Sequence, residues 1–395
     1  MNLLGVVYII IIVCNILCVI EGRKNNIITI VSAMFMVLFA AGIEYNGSVV
    51  GYDLRNYEIL YENTTLISRF EFGFRLINEL CKIIGLTFTQ FHFVVVAGSL
   101  ISIFCVARKM GANLNLIIVA YMIYFILPVS GQMKNLCAMA VLVHIFPTTN
   151  NQSKKANVKE FFVVCIAATI HVSFLLYLIF LLIHSSLLNS RRSTFYKSFF
   201  GIVSLMSLIL IIFRQNVMMT SMFNAFISLL GTEVNTIYAP RYSTVTGFSP
   251  LASLMILTIA IVAIVYWRKR VFNEEVLLYL QIKDDSIYEL EARNSFLTFD
   301  KSKGIFDILM LSAFFFPLVI VNATFYRLIR DVTLIAILHL GVNCYRDYIC
   351  KRKRIMIVFF VFSICLGWFI FDVIIKGYFA DFVDNFFVST RMGFE

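Results

Sequence analysis

The sequence predicts an all-α, polytopic integral membrane helical bundle of about 10–12 transmembrane helices, with one re-entrant element and an outward-facing cavity. Three observations lead there. Hydrophobic residues make up 60% of the 395 positions and charged residues 14%, with a mean hydropathy of +0.88, far outside the range of a soluble domain. The apolar residues gather in runs able to cross about 30 Å of hydrocarbon, and the charges fall in short clusters between them. Forty Phe and 18 Tyr supply lipid-facing bulk and interfacial anchors, while only 5 Pro occur, so the spans read as mostly unbroken helices.

The first run, 3 to 20, has no basic residue before it and Arg23 and Lys24 after it, which places the N-terminus outside. Lacking a charged n-region and an A-x-A site, it reads as a retained span and not a cleaved signal. Further runs follow at 26 to 43, 88 to 106, 114 to 130, 133 to 146, 198 to 213, 249 to 267, 305 to 321, 328 to 344 and 355 to 375. Alternation then makes 21–25, 107–113, 147–160, 268–304 and 345–354 cytoplasmic, which gathers Arg108-Lys109, Lys154-Lys155, Arg268-Lys269-Arg270 and Lys351 to Arg354 on one side. Two runs are ambiguous: 161 to 183, with His171 in its middle, and 217 to 230, short enough to be interfacial or re-entrant. Arg191 and Arg192 favour a 161 to 183 segment that dips in and returns. Ten spans plus that element give a stronger basic excess inside than twelve crossings do, and both versions leave the two termini outside. There is no internal repeat, and the chain reads as a single polytopic domain over 1–395. Within it, 44–87 is an outer loop with an amphipathic helix near 74 to 84, and 268–304 is a cytoplasmic loop lying along the membrane.

The net charge of +10 is explained by this topology, and no nucleic-acid partner is expected. The nine Cys lie largely in apolar runs without CxxC pairs or His at ligand spacing, so neither a disulfide framework nor a metal or other cofactor is indicated.

Several polar residues stand out against this background. Lys134 lies in the run from Leu114 to Phe146 with no acidic residue between them. An ionisable group at that depth costs roughly 2.5–3.5 kcal/mol even on the lenient insertion scale. It either snorkels to the headgroups or meets an anion. The outer loop carries Gly51, Tyr52, Asp53 and Tyr57, then Glu71, Phe72, Gly73 and Phe74. Carboxylates beside Tyr rings suit carbohydrate, with Tyr52 and Tyr57 as glycan contacts; the competing reading is a solvated loop with an interfacial helix. His171 is the only histidine at the centre of an apolar run, where it is either a neutral partner of a neighbouring helix or a base or donor near neutral pH. Arg327 and Arg330 share a helix face at an outer helix start, open to pairing with Asp331 or to binding phosphate. Arg241 belongs to another outward loop able to cover a substrate.

At these residues the chain resembles the EpsG family of bacterial exopolysaccharide and capsule polymerases, a branch of the Wzy-type oligosaccharide repeat-unit polymerases. Family members look like G-x-D-x-x-x-Y in the first large outer loop, then E-P-G-F, then a helix with Arg-Gln-Gly-Leu-Ala, then Phe-His-x-Ser in an apolar segment. The counterparts here are Gly51, Asp53 and Tyr57; Glu71, Gly73 and Phe74; Lys134 and Ala138; and His171 with Ser173. Phe72 stands for the proline, Lys134 for the arginine and Ile170 for the aromatic. Lysine keeps the charge but loses bidentate phosphate geometry.

The resemblance implies elongation of a surface polysaccharide (exopolysaccharide, capsule or O-antigen) at the outer face of the bacterial cytoplasmic membrane, from repeat units carried on undecaprenyl diphosphate. A sugar hydroxyl of one unit attacks the anomeric carbon of another, and lipid diphosphate leaves. Lys134, Arg327, Arg330 and Arg241 are then the candidates for stabilising its added charge. His171, Glu71 and Asp53 compete as the base for the hydroxyl, with His171 favoured and the two acids as acceptor contacts. Besides the lipid bilayer, the pathway's flippase and chain-length regulator are the implied partners. Two other classes compete. A membrane acyltransferase decorating the polysaccharide also uses an intramembrane His, but its Arg and His lie near the first span, and here no His precedes His92. A flippase or transporter of lipid-linked sugars often shows internal repeats and broken helices in matching positions.

Overall fold

A computed structural model describes residues 3–22, 26–42, 52–63, 71–126, 131–145, 154–178, parts of 198–209, and 312–321, 326–344 and 351–375. Among these residues all regular structure is helical. Parts of the expected spans at 198 to 213 and 305 to 321, all of 249 to 267, the 217 to 230 run, the 268–304 loop and Arg241 lie outside the described residues, as do the side chains of Tyr52 and Asp53.

The helices are α1 (Leu3–Glu21), α2 (Asn26–Gly42), α3 (Tyr52–Glu62), α4 (Phe72–Ile83), α5 (Phe88–Lys109), α6 (Leu114–Ala120), α7 (Met133–Leu142), α8 (Lys154–Ile170), α9 (Phe315–Val321), α10 (Tyr326–Cys344) and α11 (Lys351–Phe369). Among the described residues three helical stretches are long and apolar enough to cross a membrane, Leu3–Glu21, Phe88–Lys109 and Lys351–Ile374, and Asn26–Ala41, Leu114–Phe125 and Met133–Ile145 are shorter apolar helices. The protein is an integral membrane protein whose described residues form helices and no strand.

Local chemistry sets the boundaries. A capping box in which Thr87 and Gln90 exchange hydrogen bonds starts α5, and Asn113 accepts from the Leu116 N–H to start α6. Between α4 and α5, Gly85 adopts φ +83°, and the bonds Gly85 N–H to Lys82 O and Leu86 N–H to Cys81 O close the helix end in a Schellman arrangement. That turn leads from α4 into α5, and Phe74 of α4 meets Phe91 of α5 with ring centroids 6.0 Å apart.

α10 and α6 form the centre: from Leu328 to Val342 and from Leu116 to Phe125, nearly every side chain is buried. α1 and α11 pack on α6, α5 packs on α2 and α7, and α7 packs on α8. The outer faces of α1, α2 and α11 carry exposed Leu3, Ile10, Ile27, Met34 and Phe359, as a lipid-facing surface does.

Long-range contacts bring several helix ends together. At one end Gly22 abuts the Arg354 guanidinium, Thr29 donates to Asn115 at 2.6 Å, Asn113 N–H donates to Gly341 O at 2.9 Å, and Ser102 meets His144 at 2.9 Å. These residues flank the segments that the charge pattern assigns to the cytoplasm. The polar side chains described below gather at the opposite end.

The structure differs from expectation in three places. The loop between the second and third runs holds two helices, α3 and α4, and not one. The 161 to 183 run is not a single helix: α8 begins earlier and stops at Ile170, His171 is extended (φ −145°, ψ 111°), and a 3-10 turn covers Val172–Leu176. The spans are also less regular than the scarcity of proline suggested, because α6 continues as a π-helical turn over Tyr121–Phe125 and α11 as another over Ile370–Ile375. A π turn inserts one residue without changing hydropathy, so no apolar pattern reveals it.

Candidate functional site

Glu71 precedes α4 in extended conformation and does not cap its own helix with its side chain. Its carboxylate instead joins two other segments. Lys134 Nζ donates to Oε2 at 2.7 Å, and His171 Nδ1 lies 3.4 Å from Oε1, within ion-pair distance though outside hydrogen-bond geometry. Lys134 comes from the first turn of α7 and His171 from the break after α8. Three residues from separate sequence motifs therefore meet at one carboxylate. Their side chains are 10%, 22% and 19% exposed for Lys134, His171 and Glu71, so the group is enclosed yet reachable. Burial alone pushes the Glu71 carboxyl up, but the neighbouring imidazole and the Lys134 ammonium outweigh it and hold it at about 2.

Close packing of backbone makes this meeting possible. α4 packs against α8 where Gly73 faces Thr169, and a Cβ on Gly73 would stand 2.5 Å from Thr169 Oγ1 and 3.0 Å from the Thr169 carbonyl. Only glycine permits that approach. The faces of α4 are divided: Phe74, Asn78 and Cys81 are buried, while Phe72, Leu76, Leu80 and Ile83 form an exposed apolar stripe.

A second polar group adjoins the first. α10 enters the buried centre of the bundle with Arg330 and Asp331 only 2% and 6% exposed. Asp331, one of the alternatives weighed as a partner for the arginines, has its Oδ1 accepting from Asn135 Nδ2 at 2.8 Å. Arg330 Nη2 donates to Gln132 Oε1 at 2.5 Å, and Nη1 lies 3.9 Å from Asp372 Oδ2. The Tyr124 hydroxyl donates to that same carboxylate oxygen. Arg327, one turn before Asp331 and half-buried, lies near enough to act electrostatically on both His171 and Asp331.

Of the residues singled out by sequence, the structure brings Glu71, Lys134, His171, Arg327 and Arg330 to one end of the bundle. Tyr57 packs its ring 5.8 Å from that of Phe74, three residues after Glu71. Asp372 and Tyr124 were missed. Asp372 is the one acidic residue in the 355 to 375 run, the same signal that singled out Lys134. Tyr124 had no such signal, because tyrosine is common in apolar runs.

A search of the curated proteins and of the solved structures finds no match. Comparison with known protein families matches residues 30–384 to the EpsG family, which spans well over half of the chain and every residue of the cluster just described. The protein therefore belongs to the EpsG family of exopolysaccharide and Wzy-type polymerase-like membrane proteins, glycosyltransferase-like at the level the family defines.

Proposed function

We propose that this protein polymerises lipid-linked oligosaccharide repeat units of a bacterial surface polysaccharide at the outer face of the cytoplasmic membrane. It transfers the glycan from undecaprenyl diphosphate to a sugar hydroxyl of another unit. The observation that carries this reading is the Glu71 carboxylate bridging Lys134 and His171 at 2.7 and 3.4 Å. Membership of the EpsG family supports the reaction class.

The division of labour follows from the chemistry of each group. A carboxyl held at about 2 is a weak base at neutral pH, so Glu71 is the orienting member and not the proton acceptor. A carboxylate beside Nδ1 favours the tautomer with its proton there, leaving Nε2 of His171 to take the proton of the attacking hydroxyl, as in other carboxylate-imidazole pairs. The oxygen so activated bonds to the anomeric carbon as the bond from that carbon to the diphosphate breaks. The departing diphosphate gains charge, and Lys134 and Arg327 are the cations placed to offset it. In the outer loop, Asp53, Tyr52 and Tyr57 are proposed contacts for the sugars, and Arg241 a further contact for the diphosphate.

The experiment is the size distribution of surface glycan and of lipid-linked intermediates in cells with and without the gene. Loss of a polymerase leaves single repeat units exported on lipid. Full-length but undecorated polymer indicates an acyltransferase, and units trapped inside indicate a flippase; either result overturns the proposal.

A further inference from the structure

The family resemblance made Arg330 a candidate diphosphate contact with Lys134, Arg327 and Arg241, yet its guanidinium is buried and already engaged. It is 2% exposed, with one amino group on Gln132 Oε1 at 2.5 Å and the other 3.9 Å from Asp372. The Asp372 carboxylate is held in turn by the Tyr124 hydroxyl, and the guanidinium lies 6.0 Å from the Tyr326 ring centroid. The chain Tyr124, Asp372, Arg330, Gln132 therefore runs from the π turn after α6 through the π turn after α11 and α10 to the residue just before α7. We propose that this chain is a positioning clamp: it fixes the start of α7, and through it the Lys134 ammonium, for transfer. The inference rests on the site reading above.

Three independent features point the same way. Tyr124 and Asp372 both sit in π-helical turns, Tyr121–Phe125 and Ile370–Ile375, and meet each other across them. Such turns sacrifice regular hydrogen bonding and occur frequently at functional sites, where the extra residue re-aims a side chain. Gln132 occupies the position before α7 (φ −118°, ψ 61°) but makes no side-chain cap bond; its amide oxygen is given to Arg330. Asn135, the residue after Lys134, is held by Asp331 of the same helix α10. Lys134 thus stands between two anchor points on α10, with Glu71 as the third restraint from the opposite side. A misplacement of about 1 Å in a reacting group costs about 10²-fold in rate, so rigid placement of this one cation is a gain in kcat and not in binding.

The test uses the purified full-length protein in nanodiscs, with a polyprenyl-diphosphate-linked oligosaccharide as substrate. The variants are Asp372→Asn, Tyr124→Phe, Gln132→Ala, the Asp372→Asn/Gln132→Ala double variant, and Lys134→Ala. Expected are kcat losses of about 10–100-fold for Asp372→Asn and Gln132→Ala and smaller ones for Tyr124→Phe, with KM changed less than about threefold. The double variant should lose no more than the worse single variant, because both act through Arg330. Hydrogen exchange of the 131–136 amides, which needs no turnover, should quicken in Asp372→Asn, Tyr124→Phe and Gln132→Ala. Unchanged kcat in folded Tyr124→Phe and Gln132→Ala together with unchanged exchange overturns the clamp, even where Asp372→Asn fails to fold. Wild-type turnover in Lys134→Ala overturns the site reading instead, and the exchange data still judge the clamp by itself.

Discussion

Glu71→Gln keeps the volume of the side chain and removes the charge that Lys134 and His171 share. Against the burial that raises it, the two neighbours bring the carboxyl from an ordinary 4.5 to about 2, which at about 1.36 kcal/mol per pK unit is a preference of about 3 kcal/mol for the ionised form in the folded protein. Partial exposure screens some of this, with the Glu71 side chain 19% and the Lys134 side chain 10% exposed. Losing one partner of a buried pair also leaves the Lys134 charge uncompensated. A destabilisation of about 2–3 kcal/mol at neutral pH follows. Because the folded value lies below the unfolded one, the contribution is complete above about pH 4.5 and is lost as pH falls through the folded value of about 2. The assay is denaturant unfolding of both proteins in one detergent across that range, with transfer rate measured at neutral pH. The stability gap should be largest near pH 7 and close toward pH 2, and transfer should fall by about 10²-fold as His171 loses its orienting carboxylate. Equal stability at pH 7, or a gap that persists unchanged at the acid end, refutes the bridging role.

Lys134→Ala should abolish high-molecular-weight polysaccharide while the protein still accumulates in the membrane; polymer of normal length, read on a gel of surface glycan, removes the lysine from the mechanism. His171→Ala should slow chain transfer by about 10²–10⁴-fold and leave binding of the lipid-linked donor measurable, which single-turnover assays with purified substrate distinguish. Gly73→Ala should push α4 away from Thr169 and separate Glu71 from His171, lowering transfer even though no charge changes; a wild-type rate in that variant means the 2.5 Å approach is relaxed without consequence.

By itself the sequence determined the class of the molecule and the order of its apolar runs. The same clusters of Lys and Arg that it placed on one side flank helix ends that the structure brings together, as Gly22 meets Arg354 and Asn113 meets Gly341. It also singled out Lys134, because a charge in hydrocarbon is costly wherever the chain folds. Hydropathy averages transfer free energy over a window of about 20 residues, and is therefore blind to rotation about a helix axis and to partners far along the chain. Only the tertiary structure decided that Glu71 stands between Lys134 and His171, 63 residues from the first. In the same way it turned Arg330 toward Gln132 and Asp372, and stopped α8 at the histidine that sequence had placed in mid-run. Those outcomes depend on the two π turns, on the close approach at Gly73 and on the burial of α10, all of which are fixed by packing among segments and leave no periodic trace in any one of them.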